Sequence, residues 1–388
     1  MSSQHMPPDD NDVLSCTSSL GSNDPLDRDW LSESLNRLAA ERRDCVGVVQ
    51  KLSHPSVLQQ HKGDDYCESV QFTIVTWNIW FSHHEWRARL EAAIWETLIH
   101  TPDVFCLQEV TTEVHNRLLN CHYLRERYDP TEQQLGHGYD VAIWVKKNDD
   151  EDGGGNQRSI RLHNTKTIPL GSIFGRRGLC IDLEISSAVN ERNRNKTISR
   201  VRVVTAHLES GRENAGVRKV QLNKLFSSIR SIPWNAEDGA SGISQGFEDT
   251  SILVGDFNFD PAYPENELIE TNGCVDVWQA IRPNDCGFTE DTYKNKMRYL
   301  AHGKHKQVRF DRIILVPKGA NATIIPYEIS LLGSEPFDQE QGLWASDHFG
   351  LVAHLGLCNK GIDIGPFCAQ NQNKPTPVSE TNYGYETP

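Results

Sequence analysis

Six short polar motifs in this 388-residue chain each stand where an apolar run ends. In chain order they are Thr76-Trp77-Asn78, Gln108-Glu109, His207-Leu208-Glu209-Ser210, Gly255-Asp256-Phe257-Asn258, Arg309-Phe310-Asp311-Arg312 and Ser346-Asp347-His348. Any one of them can occur by chance, but together they provide carboxylates, amides and imidazoles. Phosphodiester hydrolysis needs such groups to neutralise phosphoryl charge, orient a water molecule and assist the leaving oxygen. The six motifs therefore predict one metal-assisted site.

The carboxylates and amides predict a magnesium ligand and a place for the attacking water. Mg²⁺ prefers oxygen ligands and typically takes one or two protein carboxylates while it keeps several waters. Glu109 fits such a ligand, and Asn78 would add an amide oxygen or orient Glu109. Asp256 and Asn258 are two residues apart, so both can face one side of an extended segment. Asp256 would position or deprotonate the water, and Asn258 would contact that water or a phosphoryl oxygen.

Two histidines from distant parts of the chain are candidates for stabilising the transition state. His207 and His348 would donate hydrogen bonds to the charge that develops on the equatorial phosphoryl oxygens. A histidine in this role is usually held by a carboxylate on its other ring nitrogen. Asp311 is placed by the pattern to hold His348, and Asp347 adds a carboxylate near the metal or the scissile group.

The apolar runs before four of the motifs indicate how these side chains are positioned. Residues 72–75, 104–107, 201–204 and 252–254 are short and rich in β-branched side chains, which is typical of strands buried on both faces. A rigid sheet fixes where the loops after its strands begin. Four functional groups at four strand ends are therefore expected to converge on one point.

Composition and charge limit the class of protein. The net charge is −14, but the acidic excess lies in residues 1–30, 149–152, 231–250 and 359–388, so the rest of the chain is neutral and shows no strong basic patch. There is no stretch of 18 apolar residues, which excludes a transmembrane helix, and no signal-peptide pattern at the N-terminus. Ten cysteines without a Cys-x-x-Cys pair favour reduced thiols, and hence the nucleus or the cytoplasm or both.

The pattern along the chain predicts one catalytic region with extensions at both ends. We expect a disordered tail at residues 1–28, a helical N-terminal extension at 29–66, a catalytic domain at 67–358 and a disordered tail at 359–388. A helix at 29–43 would either dock a partner or pack on the core. Other expected helices are 85–100, 113–127 and 212–230, and other expected strands are 139–146, 308–316 and 350–355.

The motif set resembles the endonuclease/exonuclease/phosphatase superfamily of metal-dependent phosphodiesterases. Asn78, Gln108-Glu109, His207, the segment from Gly255 to Asn258 and the segment from Ser346 to His348 match its motifs. The resemblance implies an α/β (α+β) fold, a four-layer sandwich of two packed, mostly antiparallel sheets flanked by helices, with the site at one edge. It also implies Mg²⁺ as cofactor, with Mn²⁺ as a possible substitute, and Glu109 and Asp347 at the metal.

Within that superfamily the chain is most similar to the tyrosyl-DNA phosphodiesterase 2 family. The supporting segments are Thr76-Trp77-Asn78-Ile79, Leu107-Gln108-Glu109-Val110, His207-Leu208-Glu209-Ser210, Val275-Asp276-Val277-Trp278, Arg309-Phe310-Asp311-Arg312-Ile313 and Ser346-Asp347-His348-Phe349-Gly350-Leu351. The similarity implies hydrolysis of the 5′-phosphotyrosyl bond between DNA and a trapped topoisomerase II, in DNA repair, by a monomer. The partner would be DNA with a 5′-linked protein or tyrosine. Tyr139, Arg176, Arg177 and Ser210 would then contact the substrate.

Two residues depart from that family's pattern and bear on the substrate. Asp260 stands where the family usually has arginine, and Glu290 stands where animal members have tryptophan. Residues 1–66 do not clearly show the ubiquitin-binding domain that animal members carry. Two alternatives therefore stay open, namely a superfamily nuclease or phosphatase for another phosphoester, such as an RNA end or a phosphorylated small molecule, and an inactive interaction scaffold.

Overall fold

The computed structural model describes residues 29–43, 69–136, 138–148, 158–186, 198–232, 250–318 and 322–362. The tail expected at 1–28, the second half of the N-terminal extension and the acidic loops expected at 149–152 and 231–250 lie largely outside these residues. No helix within the described ranges is long and apolar enough to span a membrane.

The strands are numbered along the chain. They are β1 Ser69–Asn78, β2 Val104–Thr111, β3 Tyr128–Pro130, β4 Tyr139–Lys146, β5 Ser159–Pro169, β6 Arg177–Ser186, β7 Ile198–His207, β8 Thr250–Asp256, β9 Val275–Asp276, β10 Glu290–Asp291, β11 Gln307–Val308, β12 Asp311–Pro317, β13 Ala322–Leu332 and β14 Gly350–Ile362. The helices are α1 Trp30–Arg43, α2 Trp86–Leu98, α3 Thr112–Asn120, α4 His122–Arg125, α5 Ala215–Ser231, α6 Asn266–Thr271, α7 Val277–Ile281 and α8 Lys296–His302.

Two six-stranded sheets form the centre of the fold. Sheet A has the order β13-β14-β1-β2-β4-β3, and sheet B has the order β5-β6-β7-β8-β12-β9. Within each sheet one pair is parallel, β1 with β2 and β7 with β8, and the other pairs are antiparallel. A short hairpin of β10 and β11 stands apart from both sheets.

Apolar side chains on both faces of each sheet produce four layers. Phe72 and Ile74 of sheet A share one core with Ile181 and Val203 of sheet B, so the sheets pack face to face. The outer face of sheet A packs on α1 and α2, and the outer face of sheet B packs on α5 and α6. This confirms the expected sandwich, because strands buried on both faces need a layer on either side.

Several expected elements need correction. The helix expected at 113–127 breaks at Cys121, whose backbone is extended, and becomes α3 and α4. Helix α1 supplies the reason, since Ser32 Oγ accepts a hydrogen bond of 2.6 Å from the Tyr123 N–H at the start of α4. The strand expected at 308–316 is also two strands, because Val308 pairs with Glu290 whereas β12 joins sheet B. Strand β14 continues past the expected domain end at Cys358 to Ile362.

Candidate active site

The candidate site lies where the carboxyl ends of the two parallel pairs meet. In sheet A, Asn78 ends β1 beside Gln108 of β2, and in sheet B, His207 ends β7 beside Asp256 of β8. Parallel neighbours end at the same edge, so each sheet contributes two adjacent polar groups. Gln108 also ties the sheets together, because its Nε2 lies 3.0 Å from Thr76 Oγ1 in sheet A and 3.0 Å from Thr205 Oγ1 in sheet B.

Asp256 is the buried carboxylate on which both sheets converge. It accepts hydrogen bonds from Asn78 Nδ2 at 3.0 Å and from the Asn258 N–H at 2.8 Å, and His207 Nε2 lies 3.3 Å away. Burial alone would raise the pKa of Asp256, but His207, His348 and these hydrogen bonds hold it below its ordinary value. Asp256 is therefore ionised at neutral pH and suited to orient a water molecule.

The backbone around Asp256 has conformations that favour particular residue types. Gly255 has φ of 131°, and a Cβ at this position would collide with the Ala206 carbonyl oxygen of β7. Asn258 has φ of 55°, which asparagine tolerates better than most residues. Its Nδ2 donates to the Leu208 carbonyl at 3.0 Å, so the loop after β8 is fastened to the loop after β7.

His207 is a neutral imidazole. Burial and the neighbouring positive charge of Arg176 lower the pKa of His207 to about 3, although Asp256 acts in the opposite direction. A neutral ring can still donate one hydrogen bond, and the 3.3 Å approach of Nε2 to Asp256 identifies that nitrogen as the donor in the absence of substrate.

Glu109 lies near the carboxyl end of β2 in a strained conformation. Its φ is 59°, and the pairing between β2 and β4 is irregular between Leu107 and Val110, which turns the Glu109 side chain out of the regular ladder. The Phe81 N–H donates to Glu109 Oε2 at 3.0 Å. Burial and the negative charge of Asp347 raise the pKa of Glu109 to about 7.

Arg89 holds the loop that carries Phe81. Its buried guanidinium donates hydrogen bonds to four backbone carbonyls of residues 79–84. The two shortest, both 2.7 Å, go to His84 and Ser82. The loop position that orients Glu109 is thus fixed by one side chain of α2. Sequence reasoning missed Arg89, because nothing in its spacing distinguishes it from the neighbouring Arg87.

His348 is held by Asp311. Its Nδ1 lies 2.7 Å from Asp311 Oδ2, and its carbonyl accepts a hydrogen bond of 2.9 Å from Trp77 Nε1. Burial alone would lower the pKa of His348, but Asp311 and Asp347 together raise it well above the ordinary value. His348 is therefore a cation whose charge and orientation are both set by Asp311.

The donor atoms at this edge fit a divalent cation. Glu109 and Asp347 lie close enough for the charge of Asp347 to raise the pKa of Glu109, so a cation between them would relieve that repulsion. A second set of donors, from Asp256, Asp311 and His348, lies within 4.8 Å of one another. Two of its members already bind each other at 2.7 Å, which leaves Glu109 and Asp347 as the better pair of ligands.

Three of the four expected substrate residues lie beside the site. Arg176 is buried and donates to the Leu208 carbonyl, to Tyr139 Oη at 3.1 Å and to Ser210 Oγ at 3.3 Å. Arg177 instead binds Asp140 and Glu132 at 2.7 and 2.5 Å, so the expectation that it contacts substrate is not supported by the geometry.

The two departures, Asp260 and Glu290, have structural partners. Asp260 accepts hydrogen bonds from the backbone N–H groups of Ala262 and Arg309, at 3.0 and 3.1 Å. Glu290 is buried and lies 2.6 Å from Arg298 Nε and 2.5 Å from Lys306 Nζ. The pKa of Glu290 is lowered despite burial, because positively charged groups surround it. Neither carboxylate is therefore an uncompensated negative charge facing a substrate.

Residues 290–308 form a basic lobe next to Asp347. Arg298 Nε lies 3.4 Å from Asp347 Oδ2, which joins the lobe to the site. The exposed Tyr293 ring stacks on His305 at 4.4 Å, and Tyr299 stacks on the same imidazole at 4.5 Å. The exposed lysines of the lobe are Lys294, Lys296 and Lys304. The lysines lie within residues 294–304, a short basic segment that sequence reasoning did not single out.

Known proteins are similar to this chain over most of its length. The chain is 28% identical over 319 residues to human tyrosyl-DNA phosphodiesterase 2, covering 80% of this chain and 73% of the human protein. It is 26% identical to the Bos taurus protein of the same name, over 86% of this chain and 82% of that one.

Solved structures share the fold. The crystal structure of Danio rerio TDP2 complexed with single-strand DNA product superposes with a TM-score of 0.57 at 21% identity, covering 74% of this chain and 98% of that one. The crystal structure of truncated Caenorhabditis elegans TDP2 superposes with a TM-score of 0.53 at 21% identity, again covering 74% of this chain and 98% of that one. The model of the Endonuclease/Exonuclease/phosphatase family matches residues 75–348, a span that includes every site residue from Asn78 to His348. The chain therefore belongs to the endonuclease/exonuclease/phosphatase family.

Proposed function

We propose that this protein is a divalent-metal-dependent phosphodiesterase that hydrolyses 5′-phosphotyrosyl bonds at DNA ends, including those to trapped topoisomerase II, in DNA repair. The observation that carries the hydrolytic part is the convergence of Glu109 in β2, Asp256 at the end of β8 and His348 just before β14 on one edge of the fold. The tyrosyl-DNA part is supported by the relatives, which are tyrosyl-DNA phosphodiesterases and align over most of the chain.

Attack on phosphorus begins with a water molecule at Asp256 and Asn258. Asp256 is ionised and is held by Asn78 and the Asn258 backbone, so it can accept a proton from that water as the bond to phosphorus forms. Substrate would draw the Asn258 amide and the His207 N–H away from their present acceptors toward phosphoryl oxygens.

Charge on the phosphoryl group is met by groups that are already fixed in place. His348 is cationic and oriented by Asp311, and neutral His207 donates a hydrogen bond without adding charge. Donors preorganised in a buried site stabilise developing charge more strongly than water does. Mg²⁺ held by Glu109 and Asp347, with Mn²⁺ as a substitute, would supply further charge neutralisation and stabilise the leaving oxygen.

The basic lobe is suited to the DNA strand. Its segment carries three exposed lysines and a stack of Tyr293, His305 and Tyr299, and this combination of cations with stacking rings is typical of single-strand binding. A related structure, that of Danio rerio TDP2, is complexed with single-strand DNA product. The proposed partner is DNA with a 5′-linked tyrosine or protein, acted on by a monomer in the nucleus, the cytoplasm or both.

One substrate panel tests this function. The purified protein would be given a 5′-tyrosyl oligonucleotide, the same oligonucleotide unmodified, an RNA of the same sequence and an inositol phosphate, each with Mg²⁺, with Mn²⁺ and with chelator. We expect metal-dependent release of tyrosine that leaves a 5′-phosphate and outpaces the other reactions. Fast turnover of another phosphoester with little tyrosine release would reject the tyrosyl assignment, and no turnover of any substrate would favour a scaffold.

A further inference from the structure

An exposed aromatic face borders the site on the side of sheet A. Phe81, 41% exposed, stacks on Tyr139 with ring centroids 5.1 Å apart and an angle of 8° between the planes. The Tyr139 ring lies 6.2 Å from the His207 ring. Phe174, 46% exposed, also lies near the Arg176 guanidinium, which is 5.4 Å from the Phe174 ring and 5.9 Å from the Tyr139 ring.

The exposure of Phe81 does not come from a loose loop. Arg89 binds four carbonyls of the segment, the Phe81 N–H is fixed on Glu109, and Trp80 is held at φ of 58°. Leaving an aromatic ring partly in water forgoes some of the stabilisation that its full burial would contribute. A clamped, exposed ring next to catalytic groups is therefore suited to contact substrate.

The geometry of hydrolysis indicates which part of the substrate meets this ring. In the proposed mechanism the attacking water lies at Asp256, which ends β8 of sheet B, and at Asn258, which follows it. In phosphoryl transfer the attacking and leaving oxygens are roughly in line, so the leaving oxygen points away from those residues. Glu109 lies in β2, Phe81 follows β1 and Tyr139 begins β4, all of which are strands of sheet A. The leaving group therefore departs on the side where Phe81 lies.

Charge distinguishes the occupant of this face from that of the basic lobe. Arg176 is the cation that contacts the aromatic face, and its hydrogen bonds go to Leu208, Tyr139 and Ser210. The lobe carries three exposed lysines next to its stacked rings. A polyanionic strand suits the lobe, whereas a neutral phenol ring suits the apolar face.

We propose that Phe81, stacked on Tyr139, is a specificity residue that binds the aromatic ring of the tyrosyl leaving group. This inference rests on the proposed function, since it assigns one part of that substrate to one part of the same site. The ring of the substrate would pack against the exposed face or edge of Phe81 while its phenolic oxygen leaves on the Glu109 side.

The test compares an aromatic with a non-aromatic leaving group of comparable acidity. One oligonucleotide carries a 5′-tyrosyl ester and its match carries a 5′-hexafluoroisopropyl ester. The variants are Phe81→Leu, which removes the ring, Phe81→Tyr, which keeps it, and Val220→Ala, which shortens an exposed apolar residue of α5. Because one aromatic contact is worth about 0.5 to 1.5 kcal/mol, Phe81→Leu should lower kcat/KM for the tyrosyl ester about 3- to 10-fold more than for the fluoroalkyl ester.

The controls separate this role from a structural one. Phe81→Tyr should restore the preference for the tyrosyl ester, and Val220→Ala should leave both rates unchanged. The Mg²⁺ concentration that gives half-maximal rate should also stay unchanged in Phe81→Leu, because Glu109 is bound by the Phe81 backbone. If the wild type cleaves both esters and Phe81→Leu lowers kcat/KM equally for the two, this inference is overturned and the proposed function still stands. A wild type that releases only the fluoroalkanol would overturn both.

Discussion

Asp311 Oδ2 lies 2.7 Å from Nδ1 of His348, and the Asp311 backbone lies directly opposite Asp256 in the register of β12 and β8. The carboxylate that holds His348 is therefore fixed by strand pairing next to Asp256, the residue proposed to position the water. Both Asp311 backbone and side chain are buried, and its N–H donates to Thr289 Oγ1 at 3.1 Å. Such a carboxylate can set the orientation of His348 without touching the substrate.

We expect Asp311→Asn to lower kcat by roughly 10²-fold or more, because His348 would lose both its fixed orientation and its stabilised charge. The fold should remain, since the amide is isosteric and can still hydrogen bond. Steady-state rates and circular dichroism would measure the two effects. Asp129→Asn, at an exposed position of β3, is the matched control. A kcat within twofold of wild type would show that Asp311 does not hold His348 for catalysis.

Glu109→Gln should abolish most metal binding while leaving the protein folded. Substitution keeps the shape of the side chain but removes the charge that Mg²⁺ requires, and the Phe81 N–H can still donate to the amide oxygen. Titration calorimetry with Mg²⁺ and Mn²⁺, and the rise of Tm on adding either ion, would measure the loss. Glu113→Gln on the exposed side of α3 should bind metal like the wild type. Equal affinity in both variants would rule out Glu109 as a ligand.

Arg89→Met should weaken metal binding although Arg89 is no ligand. Four carbonyls would lose their donor, at a cost of about 3 kcal/mol in unfolding free energy, and the loop that orients Glu109 would be released. Urea unfolding and metal titration would report the two losses separately. The exposed Arg87→Met is the control on the same helix. If stability fell but metal affinity did not change, the loop would orient Glu109 without Arg89.

Acid should destabilise the protein partly through Asp276. This buried carboxylate lies 2.8 Å from Arg309 and 3.2 Å from Arg312, and although burial opposes it, the two arginines lower the pKa of Asp276 below its ordinary value of 3.8. A lowered pKa gives stability that is fully present above pH 4 and is lost as pH falls through the folded-state value.

Asp276→Asn should therefore lower the unfolding free energy by about 3 kcal/mol at pH 7, because it leaves buried arginines without their counter-ion. The difference in unfolding free energy between wild type and variant should be constant from pH 8 to pH 5 and should decrease below pH 4. Urea unfolding at a series of pH values would measure it. If this difference in free energy already decreased between pH 7 and pH 5, the lowered pKa of Asp276 would be contradicted.

The basic lobe should make the reaction sensitive to salt. Replacing Lys294, Lys296 and Lys304 with alanine should raise KM for a 5′-tyrosyl oligonucleotide, and should flatten the slope of log KM against log salt by roughly 0.7 for each lysine that binds a phosphate. Lys224→Ala on α5 provides a control at another exposed lysine. An unchanged slope in the triple variant would place the strand elsewhere.

Much of the site could be predicted because buried strands leave strong signals in the sequence. Asn78, Glu109, His207 and Asp256 each follow an apolar run, and such runs mark both the strand and the point at which it ends. The edge strands β5 and β13 were not predicted. Much of β5 is only partly buried, so its apolar signal is weak, as expected for the edge of a sheet.

Contacts that depend on side-chain direction could not be predicted. Arg176 and Arg177 are adjacent, but successive side chains of a strand point to opposite faces. At the start of β6, Arg176 therefore contacts Ser210 and Arg177 contacts Glu132. The partners of Glu290 are likewise distant in sequence, so its charge looked uncompensated until folding placed Lys306 beside it. The expected substrate residues could therefore be assessed only with the fold in hand, whereas the proposed hydrolytic groups could be predicted from the sequence.

The bridge that Gln108 makes between Thr76 and Thr205 has a consequence for how the protein loses activity. Sheet A carries Glu109, the proposed metal ligand, and sheet B carries Asp256, the residue proposed to bind the water. The distance between these two side chains therefore depends on how the two sheets are aligned. A displacement of about 1 Å at a reacting centre can cost 10²-fold in rate. Moderate urea or hydrostatic pressure should thus abolish catalysis while both sheets keep their hydrogen bonds. The rate of hydrolysis should therefore report a shift between the sheets at conditions where the circular dichroism spectrum is still unchanged.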